Sequence, residues 1–174
     1  MKLLKLGAVS IVVLFVIVLG ISLLFPSKII ISRAVNIDAS PATIMPHINN
    51  VSAWKNWVEG MNDTSVHIIS DKVVMMNKTK ATIVNVTDQI VSSEWINGNN
   101  RILHSSMQLI PDSSHSVTVV QWQFEQQFKW YPWEKFGSMV SDKIVGTMME
   151  KNLNKLKQLA ERKDTSSLIP TTEN

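Results

Sequence analysis

A chain of 174 residues, 45% of them hydrophobic, has room for one core of ordinary size and no second one. The formal charge of +3 sits at the start: beyond Lys5, 15 Lys and Arg face 14 Asp and Glu, which leaves no basic stripe for a phosphate backbone and excludes nucleic acid as a partner. With no cysteine, disulfides, thiol nucleophiles and sulfur-ligated zinc are excluded as well.

In chain order, the first feature is Leu6 to Phe25, a run of 20 residues without a charge. At about 1.5 Å per residue it would extend roughly 30 Å, the thickness of a bilayer's hydrocarbon. The expectation is an uncleaved transmembrane anchor over residues 1–27. A cleaved signal peptide is the competing reading, although the run exceeds the usual apolar core of such peptides and no A-x-A-like site follows it. Lys2, Lys5 and the terminal amine, set against Lys28 and Arg33, favour a cytoplasmic N-terminus with the domain on the non-cytoplasmic side.

After Pro26, SKIIISRAVNI is rich in β-branched residues and reads as a strand ending near Ile37. Ser40 and Pro41 then supply an N-cap and a first helical residue. Pro46 is expected to stop or kink that helix after a turn and a half. A second short helix follows, and on it Trp54 and Trp57, three residues apart, would share one face.

From Thr64 to about Phe128 the segments SVHIIS, KVVMMNK, ATIVNV, QIVSSEWI, RILHSSMQLI and SVTVVQWQFEQQF are separated by turn residues, which describes an antiparallel meander. In the last of them Val120, Trp122, Phe124 and Phe128 share one parity, and Gln121, Gln123, Glu125 and Gln127 the other. The same rule groups Leu103, Ser105, Met107 and Leu109, and also Val91, Ser93 and Trp95. One apolar face and one wet face suit a sheet covered on a single side.

Trp133 to about Arg162 contains no proline and reads as one long helix. Val145, Met149, Leu153, Leu156 and Ala160 make one apolar stripe in its second half; Phe136, Val140 and Ile144 make another in its first half. Gly137 and Gly146 would permit a bend reconciling the two. Residues 163–174 read as a polar tail.

Three stretches in this order, SRAVNIDASPATIMPHINNVSAWKNW (Ser32 to Trp57), SVTVVQWQF (Ser116 to Phe124) and MEKNLNKLKQLAE (Met149 to Glu161), resemble the START-like helix-grip superfamily, often labelled SRPBCC or polyketide cyclase/dehydrase-like. The likeness frames residues 28–162. It implies an α+β fold in which a curved antiparallel sheet of six to seven strands wraps a long C-terminal helix. It also implies a cavity between the two, with Trp54 and Trp57 at its rim and Trp95, Leu103, Met107, Trp122, Phe124 and Met149 as ligand-binding residues. The alternative for the two rim tryptophans is that they staple the short helix to the long one, since buried aromatics usually serve packing.

Catalytic motifs are absent. His47, His67, His104 and His115 lie far apart without metal-ligand spacing, and no G-x-S-x-G, phosphate loop or G-x-G-x-x-G occurs. Glu94 and Glu125 would be candidates for acid/base chemistry, but parity turns both to solvent. Trp130, Tyr131 and Trp133, beside Lys129 and Lys135, would either meet lipid headgroups or cap the end of the sheet. The expectation is a membrane-tethered, monomeric, non-enzymatic domain that binds a lipid or other hydrophobic small molecule, without metal or cofactor. Ser93, Ser105 and Asn85 would orient the ligand. A cyclase- or hydrolase-like enzyme and a protein-interaction module resembling heat-shock ATPase activators are the rivals.

Overall fold

Seven segments, most of them alternating apolar and polar residues, form one antiparallel sheet among the described residues. The computed structural model describes residues 2–24, 28–112, 116–127 and 132–167, with side chains over 5–21, 28–112, 116–127 and 142–162. Phe128, Trp130, Tyr131 and His115, and the side chains of Trp133, Phe136 and Val140, lie outside that description.

The strands are β1 (Lys28–Ile37), β2 (Val66–Ser70), β3 (Val73–Met76), β4 (Thr79–Val86), β5 (Ile90–Ile96), β6 (Ile102–Pro111) and β7 (Thr118–Gln127). From β2 to β7 they run as a meander, and β1 closes beside the last strand, giving the order β1-β7-β6-β5-β4-β3-β2. The β1–β7 register runs from Lys28 opposite Gln127 to Ile37 opposite Thr118, without interruption. In β4 a bulge between Ile83 and Asn85 turns Val84 and Asn85 outward. Asn77, at the two-residue β3–β4 turn, has φ 51°, a left-handed conformation that asparagine tolerates better than most residues.

The expected parities hold. Val120, Trp122 and Phe124 are buried on the inner face, together with Ser105, Met107 and Leu109 of β6 and with Val91 and Ser93 of β5. Against this face lies α3 (Pro132–Ser167), whose Met149, Leu153, Leu156 and Ala160 are all within 1% of complete burial. Each such side chain contributes roughly 1.5–3 kcal/mol where large. Ile144 points away and is 66% exposed. The helix continues to Ser167, five residues beyond the expected boundary at Arg162.

Polar bonds fasten α3 along the β1 edge. Arg33 Nε donates to Glu150 Oε1 at 2.7 Å, with Asp142 Oδ1 3.6 Å from Nη2. Farther along, Lys157 Nζ donates to the Asn36 carbonyl at 2.8 Å and the Asp38 N–H to Glu161 Oε1 at 3.1 Å. The Arg33 guanidinium lies across Gly146, where a Cβ would overlap it. The use of Gly146 is thus close approach between a strand side chain and the helix backbone.

Between β1 and β2 the chain forms α2 (Pro41–Ile48) and a 3₁₀ turn (Ala53–Asn56). Ser40 is the N-cap, its Oγ accepting from the Thr43 N–H at 3.3 Å, and Pro41 opens the helix. Pro46 does not end the helix where the sequence suggests. It sits inside the last turn, α2 continues to Ile48, and the Asn49 N–H closes on the Met45 carbonyl at 3.0 Å. A proline this close to the end forfeits one backbone bond of a helix that is stopping anyway. Beyond the 3₁₀ turn, the Ser65 N–H and hydroxyl, each 2.9 Å from Asp63 Oδ1, hold that exposed carboxyl below its ordinary value.

At the N-terminus α1 (Lys2–Leu24) is helical as expected. The transmembrane reading of Leu6 to Phe25 is not met: among the described residues, no helix is long and apolar enough to cross a membrane.

The assignment of faces on α3 has a direct check. Leu153→Ala is expected to lower stability by about 2–5 kcal/mol, and Ile144→Ala by less than about 0.5 kcal/mol, in urea denaturation of the two variants. Similar midpoints would refute the packing.

Candidate functional site: an aromatic cluster beside an apolar cavity

Four indoles occupy the middle of the space between sheet and α3, and each one spends its N–H inside the protein. Trp54, on the 3₁₀ turn, donates to the Ile48 carbonyl at 3.0 Å, and Trp57, just after it, to the His47 carbonyl at 2.8 Å. These are terminal carbonyls of α2, which a helix cannot satisfy by itself. On the sheet, Trp95 donates to Ser93 Oγ at 3.0 Å and Trp122 to Ser105 Oγ at 2.8 Å.

The rings are packed against one another. Trp54 stacks on Trp95 with centroids 5.8 Å apart and planes 6° from parallel, and Trp57 meets Trp122 edge-on at 5.7 Å. Phe124 closes the group, 5.6 Å from Trp95 and 5.3 Å from Trp122. The void left among Trp54, Trp57, Met107 and their neighbours is about 10 Å³. That is room for about one water. Trp54 and Trp57 are 4% and 2% exposed, so they lock α2 and the 3₁₀ turn onto the sheet.

On the other side of this cluster the space is open. A cavity of about 330 Å³ is bounded by Val58, Met76, Trp95, Leu103, Trp122, Phe124, Val145, Met148 and Asn152, with Glu59, Thr79 and Asn97 also on its wall. It lies where the β3–β4 and β5–β6 hairpins end, opposite Val145, Met148 and Asn152 of α3. Met76, Leu103, Val145 and Met148 are half-buried, forming an open mouth, while Val58, Phe124 and Asn152 are buried.

The residues expected to bind ligand therefore fall into three groups. Trp95, Leu103, Trp122 and Phe124 line the open cavity. Trp54, Trp57 and Met107 border the small void instead, and Trp57 also borders a second, polar pocket of about 370 Å³ beside Lys55, Asn62 and Lys155. Met149 is wholly buried in the contact between α3 and the sheet. Of the polar residues expected to orient a ligand, Ser93 and Ser105 already accept from indoles, and Asn85 is exposed beyond the β4 bulge.

Sequence reasoning missed Asn152. It is completely buried, and its Oδ1 accepts the Glu59 N–H at 2.9 Å. A signal was present: a polar residue three after Met149 and four before Leu156 stands on the apolar stripe.

The opposite face of the sheet carries the titratable side chains. Glu94, His104 and Glu125 stand in a row across β5, β6 and β7. His104 Nδ1 lies 3.6 Å from Glu94, and Lys28 Nζ 2.9 Å from Glu125. By parity the whole sheet separates this row from the cavity. Among the described residues no group of three or more His, Cys, Asp or Glu side chains is arranged for a metal ion. His67 and His104 are exposed, whereas His47 is buried on α2.

A family model described as "Polyketide cyclase / dehydrase and lipid transport" matches residues 28–161. The chain belongs to that family. No curated protein matches it. Among solved structures, norcoclaurine synthase from Thalictrum flavum, in complex with dopamine and hydroxybenzaldehyde, is similar at 14% identity and a TM-score of 0.61, over 76% of this chain and 86% of that one. A protein from Nitrosospira multiformis is similar at 11% identity and a TM-score of 0.60, over 75% and 94% of the two chains. One from Chromobacterium violaceum reaches 10% and 0.53, over 78% and 99%. At such identities the likeness shows the fold, a seven-stranded antiparallel sheet with a C-terminal helix, that this polyketide cyclase/dehydrase family member shares with them.

For the family member in hand, the packing of the two short-helix tryptophans makes a measurable claim. Trp57→Ala is expected to cost about 3–5 kcal/mol, the range for deleting a large buried aromatic, while Lys55→Ala on the exposed side of the same turn costs less than about 0.5 kcal/mol. Chemical denaturation followed by far-UV circular dichroism reads both. A Trp57→Ala midpoint near that of the parent protein would refute the staple.

Proposed function

We propose that this domain binds a hydrophobic small molecule or lipid, without transforming it, in the cavity between the sheet and α3. The observation that carries the reading is the cavity itself: about 330 Å³, walled mostly by apolar side chains and open at a mouth formed by Met76, Leu103, Val145 and Met148. Desolvation of apolar surface supplies the affinity in such a site. Glu94 and Glu125, the carboxylates the sequence offers for acid/base work, stand on the far face of the sheet, and the carboxylate on the described wall, Glu59, is exposed to solvent, which favours binding over catalysis. The family description, which names lipid transport beside cyclase and dehydrase, accommodates this reading.

We also propose that the domain works at a membrane, held there by the apolar surface of α1. The support is the exposure of Leu6, Ile11, Leu14 and Phe15, each more than half accessible. A surface of that kind seeks lipid or another apolar cover.

Native mass spectrometry of the full-length chain, released from cells in minimal detergent, is expected to show a copurified apolar molecule. Val145→Trp, which fills the cavity from α3, is expected to abolish that adduct while the protein stays folded. An adduct that persists in folded Val145→Trp would refute the site. For the tether, the full-length chain is expected in the carbonate-washed membrane fraction and a chain beginning at Lys28 in the supernatant; equal partition of the two would refute it.

A further inference from the structure

Inside an apolar cavity, a single polar atom without a partner decides what the cavity can hold. Asn152 supplies one. Its side chain lies on the cavity wall, completely buried, and its Nδ2 has no hydrogen-bond acceptor among the described residues. The orientation of the amide is not a free choice. The Glu59 backbone N–H, a donor only, points at the other branch from 2.9 Å, so that branch must be the oxygen and Nδ2 must be the NH₂ group.

Among the described residues on the wall, Asn152 is the completely buried donor without a partner. The Trp95 and Trp122 indoles spend their N–H groups on Ser93 and Ser105. Thr79 and Asn97 also carry donors on the wall, but Thr79 is only half-buried and Asn97, whose Oδ1 accepts from Asn99 and Arg101 at 3.0 Å each, stands in the β5–β6 hairpin loop. A buried donor left unmet costs about 1–3 kcal/mol, and the position lies on a stripe where leucine would serve packing better. The bond to Glu59 accounts for the oxygen of Asn152; it leaves the NH₂ unexplained.

We infer that Asn152 reads a neutral acceptor oxygen, the carbonyl of a ketone, aldehyde, ester or amide, on the apolar molecule taken into the cavity. This rests on the cavity-binding reading above. Neutrality follows from the surroundings. One neutral N–H does not offset burial of a carboxylate, no cationic side chain is on the described wall, and Glu59 adds a negative charge there.

The test uses the full-length chain in amphipol and three probes of one shape: naphthyl methyl ketone, ethylnaphthalene and naphthoate, bound to the parent protein and to Asn152→Leu. The ratio of ketone to hydrocarbon affinity is expected to fall about 2- to 10-fold in the variant, the size of one hydrogen bond. In the parent protein the carbonyl stretch of bound, isotope-labelled ketone is expected below its frequency in hexane, and in the variant to return towards it. Naphthoate is expected to bind the parent protein more weakly than the ketone; equal or tighter binding overturns the neutral-acceptor assignment. An unchanged affinity ratio, with ethylnaphthalene still bound, overturns the role of Asn152 and leaves the cavity standing. Failure of all three probes to bind the parent protein overturns the cavity reading and this inference with it. Should Asn152→Leu not fold, the carbonyl band in the parent protein decides alone, and a band at the hexane position overturns the inference.

Discussion

An indole buried away from water must still find an acceptor for its N–H, and four such demands organise the interior of this protein. Two are met by the terminal carbonyls of α2, which ties Trp54 and Trp57 to the helix before them. Two are met by serines on the same face of the sheet, Ser93 on Trp95's own strand and Ser105 on the strand beside Trp122, which orients both indoles over the sheet. Because the rings then stack on one another, the short helical segment, the sheet and the 3₁₀ turn share one rigid block. The open volume is whatever this block leaves uncovered, namely the end nearest the hairpin turns of β3–β4 and β5–β6.

Much of this was legible from residue order because it depends on local periodicity. Alternation in SVTVVQWQF and RILHSSMQLI fixes which side chains face α3 whatever the partner strands are, and the Ser40-Pro41 pair marks a helix start by backbone chemistry alone. The resemblance to helix-grip proteins supplied what periodicity could not, the presence of a space between sheet and helix. What stayed illegible depends on three-dimensional pairing. A rim tryptophan and a stapling tryptophan have the same composition, and they differ only in where the N–H goes; for Trp57 it goes to a carbonyl ten residues earlier. The bulge that turns Asn85 outward changes one residue of register and nothing in the pattern of types. Asn152 breaks its stripe visibly, yet the sequence does not show that its oxygen belongs to Glu59.

The two faces of the sheet divide the available chemistry. Charged and titratable groups collect on the outer face, where Glu94, His104 and Glu125 neighbour one another and Lys28. The inner face offers mostly rings, methyl groups and thioethers, and among its completely buried polar groups the Asn152 amide stands on the cavity wall with an uncommitted donor. On the proposed reading, such an interior would recognise its ligand by shape and by a few polar groups on the wall.

The contact between Arg33 and Gly146 bears on the mouth of that interior. Gly146 lies between Val145 and Met148, both on the cavity lip, and the guanidinium crossing it is held by Glu150 and Asp142, whose side chains are 57% and 56% exposed. Ion pairs at such exposure add little to global stability and are weakened by salt, whereas the stripe from Met149 to Ala160 that secures the rest of α3 is buried and indifferent to it. Ionic strength therefore loosens the lip of the cavity long before it touches the fold.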